Sequence, residues 1–216
     1  DDRVILILGK DHREEASELF KGRSVHILAE PVGRNTAPCM GLGALYARHL
    51  GSEAPVAFLP ADHFISNPEA FLADLEAAGK LAAGGGIVTL GIVPTRPETG
   101  YGYIRKTPDA TGSDAVSAYK VSAFVEKPDV QKAHDYLNSG DYYWNAGIFV
   151  ATPETILTEI EKQLPDLHEG LSQIALSLGT DRFETEFKKA YENIEGISFD
   201  YGIMEDTRQQ VYVIPS

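Results

Sequence analysis

The stretch Ala-Pro-Val-Ala-Phe-Leu-Pro-Ala-Asp-His-Phe-Ile-Ser, residues 54–66, carries the pattern that decides the fold class. Residues 56–59 form a short apolar run without alternation, which is typical of a strand buried on both faces. Pro60 cannot donate to a β-ladder and therefore predicts the end of that strand. Asp62 and His63 follow, so we expect them just beyond the strand's carboxyl end, where ligands bind in an open α/β sheet.

The carboxylate of Asp62 has two explanations at this place. It can hold a hard cation such as Mg²⁺, which prefers oxygen ligands. Aspartate is also common in turns, so the side chain can equally serve to cap a turn after the strand. Residues elsewhere in the chain are needed to choose between a metal ligand and a turn cap.

The composition excludes several classes of protein. The 216 residues are 43% hydrophobic and 24% charged, as in ordinary globular proteins, and no apolar run approaches membrane-spanning length. The net charge of −13 repels polyphosphate backbones, so we expect no nucleic-acid partner, although a small phosphorylated substrate is compatible with it. The single cysteine, Cys39, excludes an internal disulfide and a Cys-rich zinc site and fits a reducing cytoplasm.

The first thirty residues predict a β-α-β unit. Residues 4–8 and 25–29 are apolar, β-branched runs that predict strands, and residues 12–20 between them have helical spacing. This order is typical of a parallel, doubly wound sheet.

Residues 30–38, Glu-Pro-Val-Gly-Arg-Asn-Thr-Ala-Pro, connect the second strand to a helix. Either Asn35 or Thr36 is expected to be the N-cap, with Pro38 in the first turn. A loop before a helix N-terminus can bind an anion or a nucleotide, but ordinary turn and cap chemistry explains the same residues. Glu30 can accept from the adjacent N1–H and N2–H₂ donors of guanine, which adenine lacks, so such a contact would discriminate between the bases.

Two further stretches combine strand ends with candidate ligands. Within residues 95–104, two glycines flank an aromatic residue, which allows a close backbone approach to a ligand but also suits a simple hairpin bend. Glu126 and Lys127 come at the end of a strand predicted over residues 116–126. The carboxylate can bind sugar hydroxyls and the ammonium a phosphate, or the two can form an ordinary exposed ion pair.

Residues 142–150, Tyr-Tyr-Trp-Asn-Ala-Gly-Ile-Phe-Val, predict a strand with one polar residue inside an aromatic and apolar run. A buried Asn145 has to be satisfied, and the pattern leaves open whether it bonds neighbouring backbone or faces a ligand. Residues 153–190 have helical stripes of apolar residues that we interpret as packing, and residues 211–214 predict a last strand.

The chain resembles the sugar-nucleotide pyrophosphorylases, and most closely bacterial mannose-1-phosphate guanylyltransferases, in six stretches that match in order and spacing. The resemblance extends over nearly the whole chain and implies an α/β fold of the nucleotide-diphospho-sugar transferase type, Rossmann-like, with a mostly parallel mixed sheet flanked by helices. The matching stretches are residues 30–38, Leu-Pro-Ala-Asp-His (59–63), Thr-Gly-Tyr-Gly-Tyr-Ile (99–104), Phe-Val-Glu-Lys-Pro (124–128), Tyr-Trp-Asn-Ala-Gly-Ile-Phe (143–149) and Asp-Tyr-Gly-Ile-Met-Glu (200–205).

The resemblance also implies roles for residues at the matching positions. Asp62 resembles one of two aspartates that hold Mg²⁺, and Lys127 resembles the cation that faces the sugar phosphate, so both are expected to be catalytic. His63, Tyr101, Asp200 and Glu205 lie inside motifs without an assigned role. The expected binding residues are Glu30, Gly33, Asn35 and Thr36 for the guanine and ribose, and Gly100, Glu126 and Asn145 for the sugar.

Two features of the family are missing from this sequence. Family members begin with a strand and a Gly-rich loop that wraps the nucleotide triphosphate, and their second metal-binding aspartate would lie beyond Ser216. We therefore expect residues 1–216 to form a single nucleotidyltransferase domain that is truncated at both ends and inactive by itself. Strand edges left uncovered in this way make a homodimer an open option.

The activity that the resemblance implies is transfer of GMP from GTP to mannose 1-phosphate, giving GDP-mannose and pyrophosphate, in the cytoplasm and with Mg²⁺. One alternative is a non-catalytic regulatory subunit that binds a nucleotide sugar. Another is a pyrophosphorylase for a different nucleotide and hexose 1-phosphate. A dehydrogenase is a weaker interpretation, because Gly-x-Gly-x-x-Gly does not follow the first strand.

Overall fold

The computed structural model describes residues 3–113 and 116–216, with side chains at all of these positions except 112 and 113. These residues divide into two compact units. The first unit comprises residues up to Glu53 together with Ile156–Ile203, and the second comprises Ala54–Thr155 and Met204–Ser216.

Strands and helices alternate along most of the chain, as expected for an α/β protein. Two short helical turns, the 3₁₀ turn Lys10–His12 and the π-helical turn Asp200–Met204, are left outside the numbering. The elements in chain order are β1 (Val4–Gly9), α1 (Arg13–Leu19), β2 (Val25–Glu30), α2 (Thr36–His49), β3 (Val56–Phe58), α3 (Pro68–Ala83), β4 (Ile87–Ile92), β5 (Tyr103–Ser113), β6 (Val116–Val125), α4 (Val130–Ser139), β7 (Tyr142–Ala151), α5 (Pro153–Gln163), α6 (Pro165–Ala175), α7 (Phe183–Asn193) and β8 (Val211–Pro215).

The first unit opens with the predicted β-α-β arrangement. Strands β1 and β2 are parallel and in register from Val4 opposite Val25 to Gly9 opposite Glu30, so the prediction is confirmed. Behind them, α2 packs closely on its neighbours at Gly41, where an added Cβ would lie 2.6 Å from Leu171. A side chain larger than hydrogen at Gly41 would therefore separate α2 from α6.

The second unit is built on a six-stranded sheet in the order β3-β7-β4-β8-β6-β5, in which β7 also pairs with β5. Only β4 and β8 are parallel neighbours among the described strands of this sheet, and the other pairings are antiparallel. The mixed α/β sheet is thus confirmed, but the expected parallel majority is wrong. Strand β7 runs antiparallel between β3 and β4. Strands β5 and β6 pair as a long antiparallel hairpin, and the sequence did not predict β5.

The expectation of a doubly buried strand over residues 56–59 is wrong. Strand β3 covers only Val56–Phe58 and stands at the end of the strand order, where β7 is its one partner among the described strands. Ala57 is exposed and Leu59, beyond the strand, is 50% exposed. The short apolar run matches a buried strand in composition, but an edge position leaves part of it open to solvent.

The core of the second unit lies between α3 and the middle of the sheet. Ala78 and Ala82 of α3 are fully buried against apolar side chains of β4, β7 and β8. Burying such surface is the main stabilising contribution to the sheet that carries the candidate sugar ligands. Among the described helices, none has the length and apolar character needed to cross a membrane.

Candidate active site

Glu30 ends β2 in the first unit and is held by α7. Its Oε1 accepts a hydrogen bond from the hydroxyl of Tyr191, a side chain that is completely buried. Burial raises the pKa of Glu30 above its usual value of 4.5, and the hydrogen bond from Tyr191 acts in the opposite direction. A carboxylate has about four acceptor positions, so this bond leaves Glu30 able to accept from a base as well.

The thiol of Cys39 lies close enough to Glu30 and Tyr191 to interact with both electrostatically. Burial raises the pKa of Cys39 to about 12, and the nearby carboxylate of Glu30 acts in the same direction. The same burial and the hydrogen bond to Glu30 raise the pKa of Tyr191 far above its usual range. At neutral pH, therefore, Cys39 is a protonated packing group and not a nucleophile.

The loop after β2 caps α2, as predicted. Asn35, at φ +70°, is the N-cap, and its Oδ1 accepts from the N–H of Thr36 at 2.9 Å. The Thr36 hydroxyl oxygen accepts from the N–H of Phe199 at 2.8 Å, and the N–H of Ala37 donates to the Ile197 carbonyl at 3.0 Å. The N–H groups of Thr36 and Ala37 therefore already have acceptors within the protein, and Pro38 has no N–H. The first three helical positions offer no free backbone donor to an anion.

The remaining loop residues differ in how firmly they are held. Arg34 donates from Nη2 to the Glu192 carbonyl oxygen, which makes a second tie to α7 besides Glu30 and Tyr191. Gly33 is exposed, and an added Cβ there would meet open space. The structure thus brings Glu30 and the helix cap onto one loop and leaves room above Gly33.

Glu126 and Lys127 directly follow β6 in the second unit. The Glu126 side chain is 11% exposed, and its Oε1 lies 3.6 Å from the Nζ of the 54% exposed Lys127. Lys127 has φ +46°, a left-handed conformation that costs a non-glycine residue about 1–2 kcal/mol. Strain of this kind is common where a side chain has to be aimed at a ligand.

Gly102 brings Glu126 and Asn145 together. A Cβ added at Gly102 would lie 2.4 Å from Oε2 of Glu126 and 3.3 Å from Cβ of Asn145. The Gly102 carbonyl oxygen also accepts from the N–H of Asn145 at 2.8 Å. An acidic acceptor and an amide therefore flank the same bare backbone, an arrangement suited to a polyhydroxyl ligand.

Gly100, the glycine singled out in the sequence, is placed differently. Its N–H donates to Oε1 of Glu98 at 3.2 Å, so this donor is already used within its own turn. An added Cβ at Gly100 would approach the same carboxylate at 3.5 Å, an ordinary contact. The described contacts therefore link Gly102, and not Gly100, to Glu126 and Asn145.

Asp62 lies in the loop after β3 with its side chain 87% exposed. The Nε2 atom of His63 lies 4.0 Å from the Asp62 Oδ1. Within residues 3–113 and 116–216, no group of three or more acidic, histidine or cysteine side chains could hold a metal ion. A single carboxylate nevertheless suits Mg²⁺, which is often held by one or two carboxylates together with waters and substrate phosphates.

Sequence reasoning missed Gly102 and Tyr191. It also missed Thr89, whose Oγ1 lies 3.1 Å from Oδ1 of Asn145, and Glu205, whose Oε1 accepts from the N–H of Glu126 at 3.0 Å. Gly102 and Glu205 lay inside quoted motifs, so a signal was present without an assignment. Thr89 is the one polar residue in the apolar run Ile-Val-Thr-Leu-Gly-Ile, which is the same signal that identified Asn145. Tyr191 lay in a helical stripe interpreted as packing, and its contact with Glu30 depends on tertiary structure.

The fold and the motifs place the chain in a family. The family described as "Nucleotidyl transferase" matches residues 2–191, and the chain belongs to this family. The resemblance to sugar-nucleotide pyrophosphorylases is likewise confirmed by its relatives. The chain is 40% identical to a mannose-1-phosphate guanylyltransferase of Salmonella montevideo and 38% identical to one of Escherichia coli K12, covering 97% of this chain and 45% of each relative.

Solved structures agree with the fold. A Thermus thermophilus protein described as a mannose-1-phosphate geranyltransferase matches with a TM-score of 0.85 and 34% identity, over 99% of this chain and 59% of that one. A Helicobacter pylori protein described as a mannose-6-phosphate isomerase matches with a TM-score of 0.82 and 26% identity, over 99% and 82%. The chain spans about half the length of the curated relatives that it matches.

Proposed function

We propose that the protein transfers GMP from GTP to mannose 1-phosphate, giving GDP-mannose and pyrophosphate. The observation that carries the proposal is the convergence of Glu126 and Asn145 on Gly102, in a chain whose relatives are mannose-1-phosphate guanylyltransferases. A carboxylate that accepts and an amide that donates can together recognise sugar hydroxyls.

The reaction needs no covalent enzyme intermediate. A phosphate oxygen of mannose 1-phosphate attacks the α-phosphorus of GTP in line, and a new P–O bond forms as the bond to the β-phosphate oxygen breaks. Pyrophosphate leaves with the electron pair of that bond. Because the attacking oxygen is already ionised at neutral pH, the protein contributes positioning and charge stabilisation more than proton transfer.

Lys127 and Asp62 would stabilise the negative charge of the phosphates, Lys127 directly and Asp62 through Mg²⁺. Lys127 is half-exposed and projects from the strained end of β6, so its ammonium can meet the phosphate of the sugar while Glu126 contacts hydroxyls. Asp62 would supply one carboxylate ligand to Mg²⁺, which stabilises the negative charge that develops on phosphate oxygens.

Recognition of the base is assigned to the loop after β2. Glu30 would accept from the N1–H and N2–H₂ of guanine while Tyr191 keeps the carboxylate in place. The open space above Gly33 would admit the nucleoside, and the cap residues Asn35 and Thr36 would hold the loop in shape. The ligands in this proposal are GTP, mannose 1-phosphate and GDP-mannose. The proposal includes no nucleic-acid partner and no membrane, and the reaction would take place in the cytoplasm.

The direct test is pyrophosphate release from GTP and mannose 1-phosphate with Mg²⁺, measured on a longer protein that carries this chain together with the Gly-rich loop of the family, for the wild type, Asp62→Asn and the control Asp109→Asn. Asp109 is exposed on β5, so its neutralisation changes the net charge equally but is remote from the proposed chemistry. We expect Asp62→Asn to reduce the rate about 100-fold or more and Asp109→Asn to leave it unchanged.

Each contrary outcome has its own meaning. Full activity of Asp62→Asn would show that the metal assignment is wrong. Binding of GDP-mannose without any pyrophosphate release would favour a non-catalytic, nucleotide-sugar-binding regulatory subunit. Equal rates with another nucleotide and hexose 1-phosphate would show that the assigned substrate pair is wrong.

A further inference from the structure

Thr89 is a fully buried hydroxyl at the centre of β4. Its Oγ1 lies 2.9 Å from the Ile148 carbonyl oxygen and 3.1 Å from Oδ1 of Asn145. Burying a hydroxyl without a partner is costly, so a threonine inside this apolar strand is retained only where its hydrogen bonds are made. These two partners of Thr89 belong to β7, the strand that carries the proposed sugar ligand, and the Leu90 carbonyl oxygen of β4 lies farther away at 3.5 Å.

The ladder between β4 and β7 is irregular at this point. Thr89 pairs with Phe149, but the next paired residue of β4, Gly91, is opposite Asn145, so three residues of β7 face Leu90 alone. Gly147, inside this bulge, has φ +69°, which favours glycine. Bulges re-aim side chains and are common beside active sites, and Asn145 is the paired residue of β7 that flanks this one.

Ile148 is one of the three residues of β7 that lie in this bulge. The Thr89 hydroxyl oxygen lies 2.9 Å from the Ile148 carbonyl oxygen and can donate to it. The same hydroxyl faces Oδ1 of Asn145, and its one hydrogen can be donated to either acceptor or shared between them.

The orientation of the Asn145 amide follows from its neighbours. The N–H of Gly147 lies 3.1 Å from Oδ1 of Asn145, and a backbone N–H can only donate. The atom facing Gly147 and Thr89 is therefore the amide oxygen, and the Nδ2 end is turned away from the bulge.

We propose that Thr89 is a positioning residue for ligand binding, which holds the Asn145 amide with its donor end turned toward a sugar hydroxyl. The inference rests on the proposed function for the identity of the ligand, but the hydrogen bonds that carry it are properties of the second unit alone. Asn145 would then donate to a hydroxyl whose hydrogen is accepted by Glu126, on the other side of Gly102.

The test compares Thr89→Val with Thr89→Ser, Asn145→Ala and the double variant Thr89→Val with Asn145→Ala. Valine keeps the shape of threonine but removes the hydroxyl, and serine keeps the hydroxyl but removes the methyl group. Calorimetric titration measures the dissociation constants of GDP-mannose and of GDP for each protein. GDP lacks the sugar, so the ratio of the two constants isolates the sugar contact.

We expect Thr89→Val to weaken GDP-mannose binding about tenfold and GDP binding not at all, with Thr89→Ser within about twofold of the wild type. The double variant should bind no more weakly than Asn145→Ala, because both changes remove the same interaction. If Thr89→Val lowered the melting temperature without changing the ratio of the two constants, Thr89 would be purely structural and the inference would be wrong.

A ligand-free measurement separates this inference from the proposed function. If GDP-mannose and GDP bind the wild type equally, the assigned sugar contact fails, and the side-chain amide signals of Asn145 in a ¹⁵N NMR spectrum still report on Thr89. The Asn145 signals, identified by their loss in Asn145→Asp, should move in Thr89→Val and stay in place in Thr89→Ser. Unmoved signals would overturn the inference. If Thr89→Val does not fold, Thr89→Cys replaces it as the weak-donor variant in both measurements.

Discussion

The Oε1 atom of Glu205 accepts a hydrogen bond of 3.0 Å from the backbone N–H of Glu126. Glu205 follows the π-helical turn Asp200–Met204 and is itself exposed. The bond fixes the end of β6 immediately before Lys127, whose left-handed backbone needs support from its surroundings. Glu205 thus acts on the candidate site through a backbone group, and its carboxylate is directed at the protein.

We predict that Glu205→Ala weakens binding of mannose 1-phosphate about three- to tenfold, because the N–H of Glu126 loses its acceptor and the turn at Lys127 loosens. Glu205→Gln keeps a carbonyl acceptor and should bind nearly as well as the wild type. Calorimetric titration with the sugar phosphate checks both variants. Equal weakening by alanine and glutamine would indicate that the charge of Glu205, and not its hydrogen bond, is what matters.

Gly102→Ala should abolish sugar binding while leaving most of the fold intact. The added Cβ would meet Oε2 of Glu126 at 2.4 Å, and this carboxylate is the movable end of a side chain, so it would swing out of position. The matched control is Gly79→Ala on α3, where an added Cβ meets nothing within 4 Å. The control should gain up to about 1 kcal/mol in unfolding free energy and bind normally. Normal GDP-mannose affinity in Gly102→Ala would contradict the assigned role of Gly102.

Tyr191→Phe should destabilise the protein more at neutral pH than near pH 4.5. Burial raises the pKa of Glu30 and the Tyr191 hydroxyl lowers it, so removing the hydroxyl raises the pKa further. A carboxyl group whose pKa is higher in the folded state than in the unfolded state stabilises the fold fully at pH values below 4.5, its unfolded pKa. This stabilisation is lost as the pH rises through the pKa of the folded state. The expected loss in urea unfolding is about 1–2 kcal/mol at pH 7.

The pH dependence of that loss identifies its cause. In a Glu30→Gln background, the carboxylate is gone, and Tyr191→Phe should have the same effect at both pH values. If Tyr191→Phe in the otherwise wild-type protein lowered the free energy of unfolding equally at pH 7 and at pH 4.5, the hydroxyl would not stabilise the charged form of Glu30.

Cys39 should resist thiol reagents in the native protein. Burial raises its pKa to about 12, so almost no thiolate is present at pH 8. Iodoacetamide should label the protein at pH 8 only in denaturant, and labelling of this single cysteine would then report unfolding of the first unit. Native labelling at the rate of a free peptide thiol would be inconsistent with the described packing.

The elements and the family could be predicted from the sequence because they depend on local patterns. The parallel β1 and β2 and the Asn35 cap follow from residues close together in the chain. Six motifs in a fixed order are also more specific than any one of them. These features required no knowledge of which strands become neighbours.

Features that depend on strand order could not be predicted in this way. The apolar run of β3 has the composition of a central strand, but only the sheet order shows that it lies at an edge. Gly102 differs from Gly100 through its contact with Glu126, a residue of another strand end. The bonds of Thr89, Tyr191 and Glu205 likewise join residues far apart in sequence.

The most direct test of the central claim is calorimetric titration of the protein with GDP-mannose and Mg²⁺, with UDP-glucose as the competitor. We predict saturable binding of GDP-mannose that UDP-glucose does not displace, because Glu30 discriminates the base and the pair Glu126 and Asn145 contacts the sugar. Equal binding of the two nucleotide sugars would contradict the assignment of Glu30. Absence of binding to either would contradict the account of the ligand contacts as a whole.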